Sequence, residues 1–144
     1  MSSPAVRTAI LEAVEAAAGS WDVLNLSDYI SLEDALSNND SSVVLVQFVV
    51  ASEEVISTGG PGNQGWEEDG TVVIHLVIPL SDSSTAVLAK GDEIQKALRG
   101  TRPNTTLTIE ACEPFSDVGK AVGLYGGTWK GWAANLFYSN HDCG

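Results

Sequence analysis

The sequence predicts an α+β fold: one four-stranded sheet, mixed or mainly antiparallel, with two helices packed on it in the order α-β-β-α-β-β. Three observations predict it. Two segments carry apolar residues at helical spacing and end at Gly19 and Gly100. Two long runs, 42–56 and 71–80, are rich in β-branched residues. Two later stretches, 105–113 and 128–140, alternate apolar and polar residues as a half-buried strand does. The 144 residues suit a single domain spanning 1–144.

Ser3 is positioned to cap a helix that begins at Pro4. Val6, Ile10, Ala13, Val14 and Ala17 then share one face, and Gly19 stops the helix. Trp21, Val23, Leu24 and Leu26 read as a buried connector, 31–36 as one helical turn, and Asn38-Asn39-Asp40 as a turn cluster. The strand 42–56 opens apolar on both faces, as a strand covered on both sides should. Glu53 and Glu54 then announce solvent. Residues 59–65 (Gly-Gly-Pro-Gly-Asn-Gln-Gly) predict a flexible hairpin loop, and Glu67-Glu68-Asp69-Gly70 leads into the strand 71–80. Ser81 or Ser84 starts the second helix, whose buried face is Val87, Gly91, Ile94 and Leu98; Gly91 lets it approach the sheet closely. Asp92 and Lys96 are spaced for an ion pair. The third strand turns Leu107, Ile109 and Ala111 inward, 114–127 is an irregular excursion, and the fourth strand buries Trp132, Ala134, Leu136 and Tyr138. Residues 140–144 are expected to be a mobile tail.

Charge is distributed unevenly. No Lys or Arg lies between Arg7 and Lys90, while that stretch holds 13 carboxylates, and the net charge is -12. A duplex-binding surface needs clustered cations to displace counterions from phosphates, and more than half of this chain offers none. Anionic membranes are disfavoured on the same ground, and no apolar run reaches spanning length; the longest, 72–80, is broken by His75. The N-terminal residues lack the basic and apolar regions of a signal peptide, so synthesis in the cytosol is expected. Cys112 and Cys143 have no framework spacing; two free thiols are expected, with a disulfide the alternative.

No catalytic, cofactor or metal site is expected. His75 reads as a hydrogen-bonded strand histidine, and adjacent His141, Asp142 and Cys143 cannot easily converge on one ion. The serines lack a nucleophile elbow, and the Gly-rich loop lacks the Lys-Ser/Thr end of a phosphate loop. The candidate interface is the set Glu53, Glu54, Trp66, Glu67, Glu68 and Asp69 flanking the loop. Its carboxylates are not spaced like a calcium loop, which leaves a solvated acidic tip or a contact with a basic partner. Trp66 is either a partner anchor or packing over the hairpin.

The helix at the N-terminus and the long hairpin whose second strand opens Gly65-Trp66-Glu67-Glu68-Asp69-Gly70 and runs on through 72–79 suggest a family. So do the helix ending Ile94-Gln95-Lys96-Ala97-Leu98-Arg99-Gly100 and the strand begun by Gly127-Thr128-Trp129. In these the chain resembles the tail terminator, or tail completion, proteins of long-tailed bacteriophages. Residues 20–40, 114–126 and the terminal His-Asp-Cys-Gly lie outside the resemblance. It implies a catalytically silent virion protein at the head–tail junction. Such a protein forms a homo-hexameric ring on the tail tube, contacts the tube protein and a head-completion or neck protein, and lets DNA pass without specific binding. The alternatives are a tail-tube or head-completion subunit, or an acidic inhibitor that mimics nucleic acid.

Overall fold

The computed structural model describes residues 4–29, 36, 42–57, 65–79, 84–117 and 129–143. In chain order these form α1 (Pro4–Ala18), β1 (Asp22–Asn25), a 3-10 turn (Leu26–Asp28), β2 (Val43–Ser57) and β3 (Gly65–Pro79). Then come α2 (Ser84–Leu98), β4 (Leu107–Cys112), β5 (Ser116–Asp117) and β6 (Trp129–Cys143). The strands make one six-stranded sheet in the order β1-β2-β3-β6-β4, with β5 paired to β6 off that path. β1 runs parallel to β2; the other pairings are antiparallel.

The four-stranded sheet in the order α-β-β-α-β-β is therefore corrected to six strands. The two that sequence reading missed are short. β1 is four residues bounded by the polar Asp22 and Asn25, and none of its side chains is fully buried, so it carries no alternation. Its partner makes it a strand: Val23 pairs with Val44 and Leu24 with Leu45. β5 is two residues, Ser116 and Asp117, held by Ala133 and Trp132 of β6. Neither has the length from which period-two patterning is legible.

The helix faces follow their sequence spacing. Val6, Ile10, Val14 and Ala18 of α1, and Val87, Ile94 and Leu98 of α2, are buried in one cluster with Val44, Val46, Val72, Ile74, Leu76, Trp132, Leu136 and Tyr138 of the sheet. Ala13 and Ala17 are only partly buried and pack at its margin. Gly91 allows the close approach expected of it. A Cβ there would stand 3.0 Å from the Phe115 ring and 3.3 Å from Leu76. Gly19 and Gly100 end the two helices at φ of +65° and +69°, a conformation that L side chains rarely adopt. Asp92 and Lys96 form the expected pair at 2.9 Å, on the exposed side of α2.

Two cations bind α1 into the fold. Lys90 of α2 donates to the Ala18 carbonyl at the end of α1 (3.1 Å), where a cation also meets the negative end of the helix dipole. Arg7 stacks on the Phe48 ring of β2 at 4.8 Å and donates to the Ser27 hydroxyl. The opposite sheet face has its own smaller cluster, Leu36, Val43, Leu45 and Val77, with Leu24, Leu26, Tyr29 and Trp129 packed at its edge. This explains why β2 begins apolar on both faces.

Boundaries moved where backbone pairing overrode local composition. Gly65-Trp66-Glu67-Glu68-Asp69-Gly70 is part of β3, not its approach, because each residue is paired to β6. β6 likewise runs through His141, Asp142 and Cys143, which pair with Glu67, Trp66 and Gly65. The tail expected at 140–144 is thus a paired strand up to Cys143. In β4, a bulge between Ile109 and Ala111 shifts the phase by one residue, so Cys112 is buried and Ala111 exposed, the reverse of strict alternation. Ser3, 31–35, 38–40, the loop 59–64 and most of the excursion 114–127 lie outside the described residues.

Candidate functional site

The sheet outruns its helices. A 15-residue strand extends about 50 Å, whereas a 15-residue helix spans about 22 Å. No described residue of 65–69 or 139–143 belongs to either hydrophobic cluster. The far ends of β2, β3 and β6 therefore form an arm that runs past both clusters; β4 accompanies it as far as the Leu107–Asn140 pair, and beyond that rung it is three-stranded.

This arm carries the residues singled out in sequence, and it arranges them as rungs of a ladder. Glu53 pairs with Glu68, Glu54 with Glu67, Ser52 with Asp69 and Val55 with Trp66. On the other side of β3, Asn140 pairs with Glu68, His141 with Glu67, Ser139 with Asp69 and Asp142 with Trp66. Alternation puts Glu67 and Asp69 on the sheet face away from the helices, and Trp66 and Glu68 on the helix-side face. Trp66 is partly buried.

Like charges directly opposite weaken a ladder, and β6 supplies the offset. The Tyr138 hydroxyl donates to Glu68 Oε2 at 2.7 Å, and Glu68 is only 5% exposed. Across the pairing, His141 Nε2 lies 3.7 Å from Glu67 Oε1, an ion pair when the ring is protonated. Tyr138 reaches Glu68 across Gly70. A Cβ at Gly70 would overlap the Tyr138 ring and hydroxyl, so only glycine fits beneath it. In sequence Gly70 reads as the last residue leading into the strand 71–80, and nothing there signals the aromatic ring over it.

On the outer face, Ser52, Glu67, Asp69, Thr71, Glu110 and Phe137 line a shallow depression of about 430 Å³. Phe137 is 38% exposed, and Val49, at the bulge between Phe48 and Val50, is 51% exposed. Glu110 was not foreseen as part of this surface; the β4 bulge delivers it. Three carboxylates around an exposed ring make a surface that attracts cations both by charge and through the ring face.

Two further titratable groups among the described residues, His75 and Cys112, are buried. His75 pairs its Nε2 with Gln47 Oε1 at 3.0 Å, on the less apolar sheet face as expected. Burial lowers its pKa from 6.5 to about 4, so the ring is neutral. Cys112 is a free, buried thiol. Burial, helped by the neighbouring Glu113 charge, raises its pKa to about 11. Among the described residues, no group of three or more His, Cys, Asp or Glu side chains converges as a metal site. No described helix is long and apolar enough to cross a membrane.

No protein-family model matches the chain. No curated protein matches it either. A solved structure whose name states no function has a similar fold over nearly its whole length. The TM-score is 0.55 at 14% identity, covering 97% of this chain and 96% of that one. At that identity the likeness establishes the fold alone. Fold and site together define a class: an α+β sheet protein whose long strands β2, β3 and β6 extend past the core in an acidic arm.

Proposed function

We propose that this chain is a structural virion protein of the tail terminator kind, a ring-forming subunit that caps a phage tail tube and presents a surface for head docking. The observation that carries the reading is the arm: β2, β3 and β6 each run 15 residues, well past the helices. A long sheet extension with little core of its own is suited to packing against neighbouring subunits or the rim of a tube. On this reading the chain performs no catalysis and works at the head–tail junction, and its partners are further copies of itself, a tube protein and a neck protein. The acidic bias then keeps DNA moving through the ring, because like charge opposes adsorption.

Subunits of net charge -12 repel one another, so ring assembly should be favoured by screening salt. The test is sizing chromatography and negative-stain imaging of the purified protein at low and high salt, with and without tube subunits. Annuli that increase with salt or on tube ends support the reading. A monomer under all four conditions refutes it.

A further inference from the structure

We infer that the exposed turn bearing Arg102 and Pro103 docks onto a second copy of this chain, and that its seat there is the outer-face depression around Phe137. The two surfaces are opposite in charge. Between Glu93 and Glu110 the chain holds Lys96, Arg99 and Arg102 and no carboxylate. The depression is lined by Glu67, Asp69 and Glu110, with no cation among its described residues. Residues 102–106 are all exposed, and Arg102 forms no ion pair among the described residues.

The turn is organised before it meets a partner. The Thr101 hydroxyl donates to the Leu98 carbonyl at 2.6 Å. Asn104 Oδ1 accepts from the Thr106 and Leu107 N–H groups at 2.9 and 2.8 Å. Arg102 Nη2 donates to the Thr105 carbonyl at 2.9 Å, and Pro103 fixes the backbone beside it. Little conformational freedom is then lost on docking. The seat has the spacing a guanidinium needs. Phe137 pairs with Thr71 of β3 and with Ala111 of β4. Asp69 is two residues from Thr71 and Glu110 one from Ala111, so their backbones stand about 6–8 Å from that of Phe137. An arginine laid on the exposed ring gains the ring face beneath it and a carboxylate on either side. Within one chain Arg102 is engaged with Thr105, not with Glu110. Each copy carries both turn and seat, so this contact can join two chains reciprocally or run head to tail into a closed ring. The inference does not rest on the ring reading.

The test is sedimentation velocity of the full chain over a concentration series. It is run at about 0.15 M salt, which screens the repulsion between exposed charges beyond about 8 Å. Wild type should associate as concentration rises. Arg102→Glu and Glu110→Arg should each weaken association at least about tenfold with unchanged circular dichroism, and an equimolar mixture of the two should restore it. Lys96→Glu, which gives the same net charge as Arg102→Glu, should leave association unchanged. Three results would overturn the inference. They are a wild-type chain that stays monomeric up to its solubility limit, a mixture no more associated than its components, and Lys96→Glu as damaging as Arg102→Glu. Annuli that persist in Arg102→Glu would defeat this inference and leave the ring reading standing. Association restored in the mixture without any annuli would do the reverse.

Discussion

The buried His75–Gln47 pair predicts a specific acid sensitivity. The ring titrates near 6.5 when the chain is unfolded and near 4 when folded, because burial penalises the charged imidazolium. Between these values the unfolded chain binds a proton that the native protein refuses. Stability contributed by neutral His75 is thus fully present above about pH 6.5, falls as pH drops, and levels off below about pH 4. The linkage relation gives a loss of about 1 kcal/mol by pH 5.5 and about 3 kcal/mol by pH 4. A loss of that size is a large share of the roughly 5–15 kcal/mol typical of a folded domain. The carboxylates titrate in the lower part of the same window, so wild type alone cannot isolate the effect. His75→Gln keeps a polar side chain within reach of Gln47 and removes the titration. Urea unfolding of both proteins should show wild type losing about 3 kcal/mol more than the variant between pH 7 and pH 4. Parallel stability curves for the two proteins would refute the argument. So would a native His75 ring that titrates near 6.5 by NMR.

Other consequences can be checked independently. Gly70→Ala should cost about 1–3 kcal/mol, read from the urea midpoint, because the new methyl displaces the Tyr138 ring. Tyr138→Phe should cost about 1–2 kcal/mol by removing the donor to buried Glu68; an unchanged midpoint would show that the bond contributes nothing net. Cys112, buried with its pKa raised to about 11, should resist iodoacetamide at pH 8 in the native protein and react on unfolding. Lys90→Met keeps the side-chain packing but removes the charged one of two donors to the Ala18 carbonyl, leaving the Trp21 N–H (3.3 Å), so a loss of about 1 kcal/mol is expected.

What sequence reading recovered and what it missed divide along a physical line. The faces of α2 and β6 were legible because helical and strand periods repeat over enough residues to average out local exceptions: Val87, Gly91, Ile94 and Leu98, and Trp132, Ala134, Leu136 and Tyr138, are all buried. The misses are features whose cause is a distant partner. β1 is a strand because Val44 and Leu45 lie beside it. The β4 phase shift exists because Tyr138 and Phe137 face Ile109 and Ala111 across a bulge, and that shift brings Glu110 to the depression.

The acidic segment shows the same division within one site. Composition identified Glu53, Glu54, Trp66, Glu67, Glu68 and Asp69 as belonging together, yet placed them around a loop. The register makes them rungs of two paired strands with β6 as a third. That difference changes the physics. A solvated tip disperses its charge into water, whereas a ladder holds carboxylates at fixed cross-strand spacing and requires a local remedy, here Tyr138 for Glu68 and His141 for Glu67. Both remedies come from β6, whose last residues read in sequence as a tail. The strand end that sequence alone would discard is therefore what lets the acidic arm exist as a sheet, and truncating the chain before His141 should loosen the arm while leaving the helix-packed core folded.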